Sequence, residues 1–199
     1  MRILAFSDLH LARNRAEEVV AASVDADLVI GAGDFCDMRR GLDRIMPILA
    51  RIRVPMVLVP GNVESAPELR DAAPEGAHVL HGQGVTIDSL RIFGLGYAVP
   101  PPPFGDWSCN LTEAEAEDLL GRCGRVDILV SHSPPKGVGD ETSGGKSVGS
   151  VAVRDAAERL QPQLLLCGHV HESWGARGRI GRAEVANLGP TPNWFEVTL

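Results

Sequence analysis

Five apolar runs in this chain stop abruptly at polar residues, and that rhythm predicts most of its architecture. Ile3-Leu4-Ala5-Phe6 runs into Ser7-Asp8-Leu9-His10, and Leu28-Val29-Ile30 into Gly31-Ala32-Gly33-Asp34-Phe35-Cys36-Asp37. Met56-Val57-Leu58-Val59 meets Pro60-Gly61-Asn62, Ile128-Leu129-Val130 meets Ser131-His132-Ser133, and Leu164-Leu165-Leu166 meets Cys167-Gly168-His169-Val170-His171. Short apolar runs without alternation suit strands buried on both faces. Helices are predicted over 14–22 and 41–51, so the first sixty residues alternate strand and helix. That order implies right-handed crossovers and a parallel sheet. A short helix over 67–73, a strand over 78–80 and a hairpin from 85–88 and 90–97 come next. Pro100 to Pro103 form a stiff surface loop in the polyproline conformation. Thr112-Glu113-Ala114-Glu115 has the spacing of a capping box that opens a helix reaching Gly121. The chain then gives a strand over 126–130, a loop rich in Gly, Pro and Ser over 133–149, a helix over 150–160 and a strand over 164–167. Closing strands are expected near 182–186 and 194–197. Two packed sheets with helices outside would use this many strands in one α/β domain spanning 1–199.

Composition narrows the function classes. A chain of 199 residues can bury one good core, and 44% hydrophobic with 23% charged residues is ordinary for a globular protein. The net charge of -7 argues against strong binding to nucleic acid or to an anionic membrane. Four cysteines without Cys-x-x-Cys spacing, no secretory leader and no window long enough to span a bilayer point to a reduced, cytoplasmic protein. Cys36 and Cys167 are expected in packing roles.

The strand ends carry the chemistry. In open α/β sheets ligands gather beyond the carboxyl ends of the strands, and here those ends supply Asp8, His10, Asp34, Asn62, His132, His169 and His171. The two histidines of Cys167-Gly168-His169-Val170-His171 would share one face if that segment were extended. Four imidazoles, two carboxylates and an amide oxygen are too many for one tetrahedral zinc with an open position. They suit two divalent ions that share a carboxylate, with mixed donors favouring Mn, Fe, Zn or Co over dedicated Ca or Mg sites.

The ordered motifs Asp8-x-His10, Gly33-Asp34-x-x-Asp37, Gly61-Asn62-x-Glu64, His132 and Gly168-His169-x-His171 resemble those of the calcineurin-like metallophosphoesterase family, in its small stand-alone bacterial and archaeal branch. The resemblance covers nearly the whole chain. It implies a four-layer α-β-β-α sandwich of mixed sheets and two metals, Mn foremost, with Fe, Zn, Co or Mg as alternatives. By it, Asp8, His10 and His171 would hold the first ion, Asn62, His132 and His169 the second, and Asp34 would bridge them. Asp34, Asn62 and His132 would thereby position metals and phosphate, while Asp37 and Glu64 would orient the ligands. The implied reaction is in-line attack on a phosphomonoester or phosphodiester by a hydroxide bridging the metals. The substrate would be a small phosphoester; oligomeric state is left open. Two other readings stand beside it: a phosphodiesterase for small or cyclic nucleotides, and a non-enzymatic scaffold of the same fold.

One position departs from the family pattern. Where the family usually has a histidine that contacts phosphate or protonates the leaving group, this chain has Val63. Glu64 is then expected to lack the partner it would orient. His81 is the substitute proton donor considered, with a surface role as the alternative, and His78 ranks behind it at the start of a strand. Asn14 is expected to cap the first helix and is a candidate substrate contact. Lys146, in Gly145-Lys146-Ser147, lacks the glycine and the preceding strand of a nucleotide-binding loop, yet is a candidate to reach a substrate phosphate. Arg39 and Arg40 could pair with carboxylates or recruit phosphate. The acidic helix from Glu113 to Asp118 reads as a solvated face, Trp174 and Trp194 as packing in the closing sheet, and Asn187 to Pro190 as a turn near the site.

Overall fold

A computed structural model describes residues 1–198. Strands β1 (Arg2–Phe6), β2 (Leu28–Gly31), β3 (Met56–Leu58) and β4 (His78–Val79) lie parallel in that order, and β11 (Asn193–Glu196) closes the sheet antiparallel to β1. The second sheet has the order β5 (Gln83–Ile87), β6 (Leu90–Leu95), β7 (Ile128–Ser131), β8 (Leu164–Cys167), β10 (Ala183–Asn187), β9 (Arg177–Ile180). Its four middle strands are parallel, whereas β5 and β9 pair antiparallel at the edges. Helices α1 (Arg13–Ala22), α2 (Leu42–Leu49) and α3 (Ala66–Ala72) cover the first sheet; α4 (Glu113–Gly121) and α5 (Val151–Leu160) cover the second.

The apolar runs are continuous because each strand feeds two layers. Ile3 and Ala5 of β1 point into the layer between the sheets with Ile30, Val57, Ile92, Val130 and Leu166. Leu4 and Phe6 point the other way, against Val19, Ile45 and Leu49 of the helices. Leu129, Leu165 and Val185 do the same for the second sheet, against Leu120, Val153 and Ala157. This is the expected sandwich of two mixed sheets flanked by helices.

The differences from expectation are local. Strand β9 escapes the sequence pattern because Arg177-Gly178-Arg179-Ile180 is an edge strand with only Ile180 buried. Helix α1 begins at Arg13, with Ala12 at its N-cap and no side-chain cap; Asn14 is exposed inside the first turn and caps nothing. The Thr112 capping box does open α4. Glu113, however, is more than a solvated acid. Its carboxylate accepts from Ser150 Oγ and from the backbone N–H groups of Val151 and Ala152, so it caps α5 where the helix dipole favours an anion.

Candidate metal centre

The loops after β1 and β2 leave the sheet still hydrogen-bonded to each other. Asp8 N–H donates to Gly33 O (2.8 Å), His10 N–H to Asp34 O (3.0 Å) and Leu11 N–H to Phe35 O (3.2 Å). Asp8, His10, Asp34 and His169 all take positive φ, at 53°, 42°, 58° and 68°. Such conformations cost about 1–3 kcal/mol each for residues with a Cβ and collect at functional sites. The glycines are sterically required. A Cβ on Gly61 would overlap the backbone and carboxylate of Asp34, and one on Gly168 would meet Asp8 Oδ2 at 2.5 Å.

Two clusters of donor atoms result. Asp8, His10, Asp34 and His171 form one, and Asp34, His132 and His169 the other. Asp34 reaches both, with Oδ2 3.4 Å from His10 Nε2 and Oδ1 3.3 Å from His132 Nε2. In the first cluster His10 Nε2 lies 3.2 Å from His171 Nε2. Two imidazole nitrogens so close, among carboxylates, share one proton or a cation in its place. The Nδ1–H of His10 is committed to Asp37 Oδ1 at 2.8 Å, which turns the Nε2 lone pair inward. Asp8 is buried; its Oδ2 accepts from Ser7 Oγ and from Trp174 Nε1 at 3.0 Å, and its Oδ1 accepts from His169 N–H at 3.0 Å.

The second cluster is more tightly defined. His132 Nδ1 bonds to Ala32 O at 2.8 Å; a carbonyl only accepts, so Nδ1 carries the hydrogen. Nε2 then faces Asn62 Oδ1 at 3.1 Å as well as Asp34 Oδ1. The amide of Asn62 is set oxygen-inward because its Nδ2 donates to Ser108 Oγ at 3.3 Å. Lone pairs on a ring nitrogen, an amide oxygen and a carboxylate converge here, and burial makes that costly unless a proton or a cation sits among them. Burial pushes His132 down, but the Asp34 carboxylate outweighs it and carries His132 up to about 9. Burial works to raise Asp34, and the His132, His10 and His169 imidazoles overcome it, holding the carboxyl below the usual carboxylate range. His169 is pushed down to about 3 by burial and then by His132. Divalent cations compete for the same lone pairs and displace such protons, so the donor set fits divalent metal.

Several residues stand where the sequence did not put them. His169 and His171 do not share one extended face: His169 is left-handed and joins the second cluster, while His171 opens a 3-10 turn over His171–Ser173 and joins the first. Trp174 follows that turn, outside the closing sheet. Its ring lies over His171 at 4.3 Å and its N–H holds Asp8, contacts that no local sequence signal announces. Trp194 does lie in the closing strand, under the Arg2 guanidinium. Glu64 has no histidine beside it to orient, and its carboxylate holds backbone amides instead. Its Oε1 accepts from the N–H groups of Gly61 (2.7 Å) and Asp34 (2.9 Å), and its Oε2 from that of Phe35 (3.1 Å). Burial, then Asp34, raises Glu64 to about 7. Arg39 is taken by Glu68 at 2.6 Å. His81 belongs to neither cluster; it stacks on Tyr97 at 4.2 Å and accepts the Gly96 N–H, and burial, then Arg70, lowers it to about 4. Asn187 Nδ2 donates to Gly168 O and Val170 O, pinning the histidine motif from the neighbouring strand. Val63 is buried, and its backbone N–H donates to Asp34 Oδ1.

Known proteins share this fold. A C. elegans relative, UPF0046 protein K07C11.7, is 28% identical over 88% of this chain, which spans 65% of that protein's length. Among solved structures, TT1561 of Thermus thermophilus superposes with a TM-score of 0.76 at 18% identity, covering 99% of each chain. A dimetal phosphatase from Danio rerio does so at 0.66 and 15% identity, over 96% of this chain and 88% of its own. The model of the calcineurin-like phosphoesterase superfamily domain matches residues 1–195. Motif order, strand-end geometry and that match place the chain in the calcineurin-like phosphoesterase superfamily.

Proposed function

We propose that this protein is a dinuclear metal-dependent phosphoesterase acting on small phosphomonoesters or phosphodiesters. Asp8, His10 and His171 would hold one divalent ion, Asn62, His132 and His169 the other, and Asp34 both. The observation that carries this reading is Asp34, buried, with one carboxylate oxygen facing each cluster. Mixed imidazole, carboxylate and amide donors favour Mn, Fe, Zn or Co over a site dedicated to Ca or Mg; among them Mn is put first, with Mg still able to substitute. Bound there, such ions would supply Lewis acidity, making water nucleophilic at neutral pH and offsetting negative charge on the phosphoryl oxygens.

The protein's own groups supply orientation. Asp37 and the Ala32 carbonyl fix the tautomers of His10 and His132, Ser108 fixes the face of Asn62, and Trp174 holds Asp8. Such partners of metal ligands are worth about 10- to 100-fold in affinity or activity. Val63 has no proton to give, so the enzyme favours leaving groups that depart as stable oxyanions. Four free thiols, three of them buried, suit a reducing compartment such as the cytoplasm. The test is metal analysis of the purified protein together with hydrolysis of paired nitrophenyl monoester and diester substrates after Mn loading. About two ions per chain and turnover of either ester support the proposal; no metal uptake and no turnover refute it.

A further inference from the structure

A cleft beside the second cluster is not used by that reading. It holds about 490 Å³ between His169, the Pro100–Pro103 segment, Phe104 and the hairpin that carries Lys146, a size within the usual range of small-molecule sites. Phe104 is 53% exposed. Its ring stacks on Trp107, with centroids 5.7 Å apart and planes 13° from parallel, and meets His169 edge-on at 6.4 Å. An exposed ring backed by a second aromatic, at the rim of an anion-seeking centre, is a platform for another flat group. The lining also brings Lys136 and Lys146, with Glu172 as its carboxylate. Lys136 already donates to Ser147 O at 2.6 Å, whereas Lys146 is exposed. In a chain of net charge -7, two ammonium groups on one cleft complement a ligand that brings a negative group besides its phosphate.

We propose that the cleft binds the leaving-group side of the substrate: a planar aryl ring, ester-linked to the phosphate, that packs on Phe104 and carries a second anionic substituent held by Lys146. This rests on the phosphoesterase reading for the phosphate end and adds the identity of the other end. It also answers the hydrocarbon at Val63. Hydrolysis joins a water oxygen to phosphorus and breaks the bond between phosphorus and the ring oxygen, which keeps the electron pair. An aryl oxygen carries that charge without a donor and takes the water's proton later, through solvent.

The test compares para-carboxyphenyl phosphate, phenyl phosphate and ethyl phosphate on the Mn-loaded protein, its Phe104→Ala variant and its Lys146→Gln variant. Calorimetric titration with para-carboxyphenyl phosphonate, which is not hydrolysed, runs alongside. Phe104→Ala should lower the phenyl-to-ethyl ratio of kcat/KM by about 2- to 10-fold, the range of one aromatic contact. Lys146→Gln should lower the carboxyphenyl-to-phenyl ratio by about 2- to 5-fold, as for a solvent-facing ion pair. Both variants should weaken phosphonate binding. A merely structural role for either residue would depress all three esters together and leave the ratios unchanged, which overturns the proposal. Turnover with wild-type ratios in both variants refutes the cleft and leaves the phosphoesterase standing. Phosphonate binding that depends on Phe104 and Lys146, without turnover of any ester, does the reverse. Neither binding nor turnover removes both.

Discussion

Trp174→Phe isolates one hydrogen bond at the candidate metal centre. The substitution keeps an aromatic ring over His171 and deletes only the indole N–H that reaches Asp8 Oδ2 at 3.0 Å. The acceptor is a buried carboxylate, and hydrogen bonds to charged groups contribute about 1.5–3 kcal/mol. Ser7 Oγ still donates to the same oxygen, so the carboxylate is not orphaned and the lower half of that range applies. At about 1.4 kcal/mol per tenfold, affinity for the ion proposed at Asp8, His10 and His171 should fall about 10-fold. The ion proposed at Asn62, His132 and His169 should be little affected. Mn(II) titration against a competing chelator, followed by electron paramagnetic resonance, resolves the two events. Asp37→Asn offers a scale: its carboxylate is 52% exposed, so its bond to His10 is screened by water and its loss should cost less. Two unchanged affinities in Trp174→Phe, or a larger loss in Asp37→Asn, would refute the reasoning.

Three further outcomes are expected. Val63→His should speed hydrolysis of alkyl esters more than nitrophenyl esters, toward the roughly 10²- to 10⁴-fold of a general acid; equal or slower alkyl turnover contradicts it. Glu64→Gln should destabilise the fold by at least about 2 kcal/mol, because its amide N–H₂ faces buried backbone donors and leaves them unsatisfied; a urea midpoint equal to wild type would deny this. His81 is lowered to about 4 by burial and Arg70, so the unfolded chain takes up its proton first as pH falls. Stability should therefore decline between about pH 6.5 and 4, by no more than about 3 kcal/mol, and level off below. His81→Gln should flatten that slope in denaturant titrations at stepped pH.

The fold was legible in the sequence because strands buried on both faces leave unbroken apolar runs, and their ends were legible because polar residues interrupt them together. Ile3 to Phe6 and Leu164 to Leu166 needed no knowledge of partners. Side chains whose partners lie far along the chain were not legible. Trp174 meets Asp8 across 166 residues and Glu64 meets Asp34 across 30, so a local reading left the first in a sheet and gave the second no sight of the backbone amides it holds. The histidine motif misled differently. Its alternation suggested one face, but the positive φ of His169 and the turn at His171 send the rings to separate clusters. Strand β9 failed because an edge strand with one buried residue carries almost no apolar period.

The ladder between the loops after β1 and β2 has a consequence for motion. Asp8, His10 and Leu11 donate their amides to Gly33, Asp34 and Phe35, continuing the Ile3-to-Phe6 pairing beyond the last strand residue. Backbone amides in such a continuation open only when the sheet itself opens. Their exchange with deuterated solvent should thus be as slow as that of the strands, leaving the loops that carry Asp8, His10 and Asp34 stiff even as α1 or α3 frays.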